Sequence, residues 1–239
     1  MIVFKALKPV RAITFDLDDT LYNNMPYIYA AEASLREYIL KQYPVTKAIS
    51  RERWQAIRLE ALKASPELFN DIGELRKTTL RNGFRQAKMQ EGLINEAVDD
   101  CFDHFYRQRS AFKVPPDVIA TLKTLSEKVP LAAITNGNAD CEAIGIADYF
   151  THIVHASPQY PMKPHRGMFD FVAQALSIAP ECILHVGDDL DKDIKGAIFA
   201  GYQAAWIAVN RPMHINKETS AGVLPHIQLH NIHQLKQLV

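Results

Sequence analysis

Two aspartates, Asp16 and Asp18, directly follow the short apolar run Ala12–Phe15. Side chains two residues apart at the end of a strand point in the same direction, so these carboxylates would lie close together. The packing of a core does not explain that much negative charge at a buried strand end. A hard divalent cation such as Mg²⁺ would neutralise it, because this ion prefers carboxylate oxygens. One carboxylate could then attack phosphorus and form an aspartyl-phosphate.

Polar clusters also follow two later apolar runs, and a lysine lies between them in the sequence. The residues concerned are Thr135 and Asn136 after Leu131–Ile134, Lys163, and Asp188, Asp189 and Asp193 after Ile183–Val186. In an open α/β sheet, ligands bind outside the carboxyl ends of the strands. A phosphoryl-transfer site needs a metal, a nucleophile, donors for the phosphoryl oxygens and a cation, and these clusters supply each of them.

The elements that would position these residues are strands that alternate with helices. Runs that are apolar throughout suit a parallel sheet covered on both faces. Ala204–Val209 adds another such run, and Ile153-Val154 a short one. Helix-like segments between the runs are Pro116–Lys128, Gly167–Leu176 and Ile194–Ala200. The pattern predicts right-handed βαβ units in a doubly wound parallel sheet, which is an α/β fold.

Between about residues 26 and 109 the strand-like runs disappear and every segment has a helical pattern. The predicted helices are Ala30–Leu40, Arg51–Lys63, Gly73–Met89 and Asn95–Arg109. One apolar stripe with helical spacing consists of Val98, Cys101, Phe102, Phe105 and Tyr106. We therefore predict an α/β core domain at 1–22 and 110–239, interrupted by a helical domain at 23–109.

The composition excludes several classes of partner. Lys plus Arg and Asp plus Glu both number 27, so a formal net charge of zero gives no electrostatic footprint for nucleic acid or an anionic membrane. Three widely separated cysteines without a C-x-x-C pair fit a reducing compartment. No apolar run is long enough to span a bilayer, and the N-terminal residues lack the pattern of a secretory signal. We expect a cytoplasmic protein that acts on a small molecule.

The order Asp16-x-Asp18-x-Thr20, Thr135, Lys163 and Gly187-Asp188-Asp189-x-x-x-Asp193 resembles the four motifs of the haloacid dehalogenase (HAD) superfamily of phosphohydrolases. The resemblance spans the core from Ala12 to about Asp193. It implies a Rossmann-like core, an inserted helical cap and a Mg²⁺ cofactor. A single motif would be weak evidence, whereas four in the expected order are strong.

The resemblance also implies a role for each matching residue. Asp16 would be the nucleophile and a metal ligand, and Asp18 the general acid and base, with its backbone carbonyl on the metal. The other implied roles are a hydrogen bond from Thr135 to the phosphoryl group, charge stabilisation by Lys163, completion of the metal site by Asp188, and further or supporting carboxylates at Asp189 and Asp193. We expect Asn136 and Asn23 to contact the substrate.

Asp18 separates two activities within this superfamily. A phosphate ester leaves as an alkoxide that needs a proton, whereas a halide does not, so Asp18 favours a phosphatase over a dehalogenase. Mutases use the same carboxylate pair, although they commonly have Gly where Asp19 stands here. The stretches Leu17–Asn24, Leu131–Ala139 and Leu184–Leu190 are similar to bacterial phosphatases that act on flavin mononucleotide (FMN) and 5-amino-6-(5-phospho-D-ribitylamino)uracil, of riboflavin synthesis.

Several of these residues also have plain structural explanations. Asp189, Asp191 and Asp193 could be acids of a first helical turn, and Thr135-Asn136-Gly137 could be an ordinary turn. Arg76 could reach a substrate or lie on a solvated helix face. A broad-specificity sugar-phosphate or nucleotide phosphatase, a 2-haloacid dehalogenase and a non-catalytic relative that binds phosphorylated metabolites all remain alternatives.

Overall fold

The central sheet is mostly parallel in the computed structural model, which describes residues 1–215 and 222–239. Its strands are β1 (Ile2–Val3), β2 (Ala12–Phe15), β3 (Leu131–Thr135), β4 (His152–His155), β5 (Ile183–Gly187), β6 (Gln203–Trp206) and β7 (Ile227–Gln228). They lie in the order β1-β7-β6-β5-β2-β3-β4. β1 and β7 are antiparallel, and the other neighbouring strands are parallel. The predicted α/β fold is therefore confirmed.

β2 lies at the centre of the sheet because its residues are apolar enough to be covered on both faces. Every residue of β2, β3, β5 and β6 is buried. Phe15 lies opposite Ala133 of β3 on one side and Val186 of β5 on the other. The loops that follow these three strands consequently meet at one edge of the sheet.

Seven α-helices are assigned within the described residues. They are α1 (Met25–Gln42), α2 (Arg51–Ala64), α3 (Ile72–Gln86), α4 (Glu91–Arg109), α5 (Pro116–Ser126), α6 (Gly167–Leu176) and α7 (Gly196–Phe199). Along the part of the chain that is described, no helix is long and apolar enough to cross a membrane. The helix predicted at Ile194–Ala200 starts earlier, because a π-helical turn at Leu190–Lys195 leads into α7.

The strand predicted at Ala204–Val209 was wrong at its carboxyl end, since β6 stops at Trp206. The backbone N–H of Val209 donates to the carbonyl of Asp19 at 3.0 Å. The chain therefore leaves the sheet after β6 and joins the loop that follows β2. β1 was not predicted, because two residues are too short for a recognisable pattern.

The chain divides into two compact units. The sheet unit contains Met1–Asn24, Lys113–Gly137 and Ile144–Val239, and the helical unit contains Met25–Phe112 and Asn138–Ala143. The sequence-based boundaries at 22/23 and 109/110 differ from these divisions by two and three residues. The short segment Asn138–Ala143 was assigned to the core from sequence but groups with the helices. Its peptide N–H at Asp140 donates to Oγ of Ser110 at 2.9 Å.

The helical unit has its own core between α1, α3 and α4. Ala31 and Leu35 of α1, Phe84 of α3, and Cys101 and Phe105 of α4 are buried there. Packing is close enough that a Cβ on Gly83 would lie 2.0 Å from the ring of Trp54, so only glycine fits.

Arg76 of α3 is tied down within this unit. Its Nη2 donates to Oε1 of Glu32 at 2.7 Å, and its guanidinium lies 3.4 Å from the ring centre of Phe105. An arginine stacked on a ring and paired with a carboxylate contributes to packing within the unit. Neither the substrate contact nor the plain solvated face considered from sequence describes this arrangement.

Candidate active site

The ammonium group of Lys163 joins two aspartates at the carboxyl edge of the sheet. Its Nζ donates to Oδ1 of Asp16 and to the carbonyl of Ile134, both at 2.6 Å, and lies 2.7 Å from Oδ1 of Asp193. A lysine has three N–H donors, and these acceptors use all three. Lys163 is buried, so the two carboxylates are what make its charge tolerable in the interior.

The carboxylates of Asp16, Asp188 and Asp193 together carry more negative charge than Lys163 neutralises. Burial raises the pKa of Asp16 well above its ordinary value, and the charges of Asp193 and Asp188 act in the same direction. Burial also opposes the charges of Lys163 and Asp193, but the attractions of the cluster outweigh it, raising the pKa of Lys163 and lowering that of Asp193. A further cation beside Asp16 would therefore stabilise its carboxylate form.

Three carboxylates meet beside this lysine. Asp16, Asp188 and Asp193 each offer an oxygen, and these oxygens lie within 4.8 Å of one another. Asp188 follows β5, the neighbour of β2, which explains its proximity to Asp16. Burial and the charge of Asp193 raise the pKa of Asp188 to about 6, although Arg211 opposes the rise. A donor set of oxygens alone suits a hard cation such as Mg²⁺.

Asp193 is held by the protein on both of its oxygens. Besides Lys163, its Oδ1 lies 3.5 Å from Nε2 of His185, and its Oδ2 accepts the backbone N–H of Asp189 at 2.9 Å. Burial lowers the pKa of His185, which favours the neutral ring. A neutral ring that donates to Asp193 through Nε2 must accept at Nδ1, where Oγ1 of Thr14 lies 2.8 Å away. Asp193 is thus a fixed support for Lys163.

Asp18 lies outside the cluster of three side-chain carboxylates. Its Oδ1 accepts the hydroxyl of Tyr22 at 2.7 Å, and its Oδ2 lies against Gly137, where a Cβ would be only 2.5 Å from it. Oγ1 of Thr135 accepts the backbone N–H of Gly137 at 3.0 Å. Accepting this bond leaves the hydroxyl hydrogen of Thr135 for donation to another group. The predicted acid and the predicted phosphoryl donor are therefore neighbours across Gly137.

The side chain of Asn136 binds the backbone of Lys163. Its Oδ1 accepts the backbone N–H of Lys163 at 2.8 Å, and its Nδ2 donates to the carbonyl of Lys163 at 3.1 Å. Both polar ends of the amide are thus used to fix the backbone of the lysine. The peptide bond between Lys163 and Pro164 is cis. The side chain of Asn136 is thus bound to the loop that carries Lys163, and a substrate contact by this residue stays a prediction.

Two other predicted residues lie apart from the three carboxylates. The side chain of Asp189 accepts the backbone N–H groups of Asp191 and Lys192 at 2.9 Å, which caps the π-helical turn. Burial opposes the charge of Asp189, but hydrogen bonds from Lys192 outweigh it and lower its pKa. Asn23 is exposed, and a substrate contact by this residue stays a prediction.

Three supporting residues were not assigned from sequence: Tyr22, His185 and Arg211. Arg211 binds Asp188 through a 2.7 Å contact between Nη1 and Oδ2. It follows the apolar run Ala204–Val209, so the rule that polar residues after a strand form the site, applied to this fourth run, would have found it. No comparable signal marks Tyr22 or His185, because a tyrosine and a histidine among apolar residues are ordinary in a core.

Comparison with known proteins identifies the family. The model of haloacid dehalogenase-like hydrolases matches residues 10–201. The Escherichia coli (strain K12) protein named 5-amino-6-(5-phospho-D-ribitylamino)uracil phosphatase YigB is 34% identical over 238 residues, which are 99% of each chain. The phosphoserine phosphatase of Thermus thermophilus is 27% identical, with 83% of this chain and 88% of that protein covered.

A solved structure is similar over nearly the whole chain. The 2-haloacid dehalogenase from Pseudomonas syringae pv. Tomato DC3000 superposes with a TM-score of 0.88 at 31% identity, covering 96% of this chain and 97% of that one. A parallel sheet with carboxylates and a lysine at its carboxyl edge defines an α/β enzyme that binds its ligand at that edge. The chain belongs to the haloacid dehalogenase-like hydrolases. Within that family it is a phosphoric monoester hydrolase.

Proposed function

We propose that this protein is a Mg²⁺-dependent phosphatase that forms an aspartyl-phosphate on Asp16. The observation that carries the proposal is the contact of Lys163 with both Asp16 and Asp193, beside the carboxylate of Asp188. Lys163 orients one oxygen of Asp16 and places a buried positive charge where a phosphoryl group would gain negative charge. The second oxygen, Oδ2, accepts only a 3.3 Å bond from Oγ1 of Thr20 among the hydrogen bonds described for it.

The residues present fit a magnesium ion. Asp16 is buried and Asp188 is half-buried, and the pKa values of both carboxylates are raised by burial and by the charge of Asp193. Both oxygens of Asp193 already contact groups of the protein, namely Lys163, His185 and a peptide N–H. We therefore assign Asp193 to positioning Lys163 and not to the metal. We therefore expect Asp16 and Asp188, with the backbone carbonyl of Asp18, to hold the metal. When bound, Mg²⁺ supplies charge neutralisation for the attacking carboxylate and the transferring phosphoryl group.

Asp18 supports hydrolysis of a phosphate ester. Its carboxylate is kept in place by the hydroxyl of Tyr22 on one side and by Gly137 on the other. From there we propose that it protonates the leaving oxygen and then takes a proton from the water that attacks the aspartyl-phosphate. Thr135, with its hydroxyl hydrogen available, would donate to the phosphoryl group.

The substrate that we propose is 5-amino-6-(5-phospho-D-ribitylamino)uracil, FMN or both. The similarity to the Escherichia coli phosphatase of that name supports this, because it extends over 99% of both chains. A broad-specificity phosphatase is the alternative within the same chemistry. The Pseudomonas structure provides a second candidate, a 2-haloacid dehalogenase. Asp18 argues against it, since a halide leaves without a proton.

A substrate panel tests these assignments. Phosphate release with Mg²⁺ would be measured for the ribitylaminouracil phosphate, FMN, phosphoserine, sugar phosphates and pyrimidine nucleotides, and halide release for 2-chloropropionate. We expect the highest kcat/KM with the ribityl phosphates. Similar values for all phosphates would favour the broad-specificity alternative, and halide release without phosphate release would refute the phosphatase.

A pair of variants tests the nucleophile. Asp16→Asn should abolish phosphate release because an amide cannot attack phosphorus. Asp170→Asn is the matched control, because Asp170 is an exposed aspartate of the sheet unit that pairs with Arg166 at 2.6 Å. Wild-type turnover by Asp16→Asn would exclude the proposed mechanism.

A further inference from the structure

Arg211 donates two hydrogen bonds to Asp188. Its Nη1 donates to Oδ2 of Asp188 at 2.7 Å, and its Nη2 donates to the backbone carbonyl of the same residue at 2.8 Å. The two bonds fix both the backbone and the side chain of Asp188. They leave Oδ1 as the carboxylate oxygen that Arg211 does not bind.

The segment that carries Arg211 is anchored next to the site. The backbone N–H of Ile207 donates to the carbonyl of Gly187 at 3.0 Å, and that of Val209 donates to the carbonyl of Asp19 at 3.0 Å. Nε1 of Trp206 donates to the carbonyl of Asp188 at 2.8 Å, so this oxygen has two donors. The guanidinium therefore projects from a backbone fixed to the end of β5 and to the loop after β2.

The charge balance of the site explains why an arginine is needed at this place. All three protons of Lys163 are used by Asp16, Asp193 and a carbonyl. Asp188 has a side chain that is only 15% exposed and lies near the charge of Asp193. A carboxylate in that environment would turn away from its neighbours if nothing held it, because like charges repel.

We propose that Arg211 is a positioning residue that presents Oδ1 of Asp188 to the magnesium ion. This inference rests on the proposed function, since it assumes that Asp188 is a metal ligand. Outer residues that orient a metal ligand typically contribute about 10-fold to 100-fold in metal affinity. Arg211 itself is 34% exposed on its side chain, so its replacement should not disturb folding.

The test is the dissociation constant of Mg²⁺ for Arg211→Lys, measured by isothermal titration calorimetry on the full chain. Lysine keeps the charge but lacks the planar fork that reaches two acceptors. We expect the constant to rise about 10-fold. Arg166→Lys is the matched control, because Arg166 makes an equivalent fork to the exposed Asp170 at 2.6 and 2.9 Å. That variant should bind Mg²⁺ like the wild type.

A second readout is the fluorescence of Trp206 during the Mg²⁺ titration, in a Trp54→Phe background. Since Trp206 is hydrogen-bonded to the carbonyl of Asp188, its signal follows this residue directly. An unchanged or lower dissociation constant of Mg²⁺ for Arg211→Lys would overturn the inference. Asp188→Asn distinguishes a failure of the metal site from a failure of the role of Arg211. If Asp188→Asn also binds Mg²⁺ like the wild type, the proposed metal site is wrong. If Asp188→Asn binds Mg²⁺ weakly while Arg211→Lys binds it normally, only the role of Arg211 is refuted.

Discussion

The replacement of Asp188 by Asn should stabilise the metal-free protein. The pKa of Asp188 rises from its ordinary 3.8 to about 6 in the folded state. At about 1.36 kcal/mol per pKa unit, its charge costs the fold about 3 kcal/mol when Asp188 is fully ionised. Asn removes that charge while keeping an oxygen that accepts from Arg211. We therefore expect the free energy of unfolding at pH 8 in EDTA to increase by about 3 kcal/mol.

The sign of the pH dependence follows from the direction of this shift. A carboxyl group with a raised pKa in the folded state destabilises the fold above that pKa. As the pH falls through 6, the folded protein takes up the proton first and the cost declines. The increase in the free energy of unfolding caused by Asp188→Asn should thus fall to roughly half at pH 5 and vanish below pH 4.

The assay is urea unfolding followed by the fluorescence of Trp206, which is buried in the sheet unit, in a Trp54→Phe background. Asp170→Asn is the control and should change stability by less than about 1 kcal/mol, because exposed ion pairs contribute little. Mg²⁺ at 100 times its dissociation constant should stabilise only the Asp188 protein, by about 2.7 kcal/mol, and so nearly cancel the difference. Equal stability of the two proteins at pH 8 in EDTA would refute the reasoning.

Three further results are expected. Tyr22→Phe removes the hydrogen bond to Asp18 and should lower kcat about 10-fold, more for alkyl than for aryl phosphates, in steady-state assays. Gly137→Ala puts a Cβ 2.5 Å from Oδ2 of Asp18 and should reduce kcat/KM at least about 100-fold with little change in Tm, since one misplaced group costs that much. The Mg²⁺ affinity measured by calorimetry should fall at least about 10-fold per pH unit below pH 6, because the proton on Asp188 must leave before the metal binds and the pKa of the second carboxylate, Asp16, is raised as well.

Each of these results has a control or an outcome that contradicts it. Gly92→Ala is the control for Gly137→Ala and should leave kcat/KM unchanged, since a Cβ there meets nothing within 4 Å. If Tyr22→Phe lowered kcat equally for alkyl and aryl phosphates, Tyr22 would have no role in proton transfer by Asp18. A constant Mg²⁺ affinity between pH 7 and pH 5 would mean that metal binding releases no proton in this range, which would contradict the raised pKa of Asp188.

The strands that carry the site could be predicted because they are fully buried. Such strands are apolar throughout, and the polar residue that ends each of them is conspicuous, as with Asp16 and Asp188. The contacts between strand ends could not be predicted in the same way. The side chain of Asn136 binds the backbone of Lys163, a contact that joins residues separated by 27 positions in the chain.

Other features depend on where the chain leaves a regular element. Arg211 reaches Asp188 because β6 ends at Trp206, whereas the apolar run continues to Val209. Periodicity reports burial and not hydrogen bonding, so a buried segment outside the ladder has the same pattern as a strand. The placement of Asn138–Ala143 with the helical unit was similarly beyond sequence reasoning, since this segment joins the unit through space.

The central position of β2 has a consequence for the order of events during synthesis. β2 pairs with β3, which begins at Leu131, and with β5, which begins at Ile183. A nascent chain therefore carries Ala12–Phe15 as an unpaired apolar strand until more than half of the protein has been made. Pairing between such distant segments is slow, and an open strand edge invites association with other chains. We expect ribosome-bound chains that end before Ile183 to depend on chaperones, and Asp16 and Asp188 to meet only when β5 pairs with the second edge of β2.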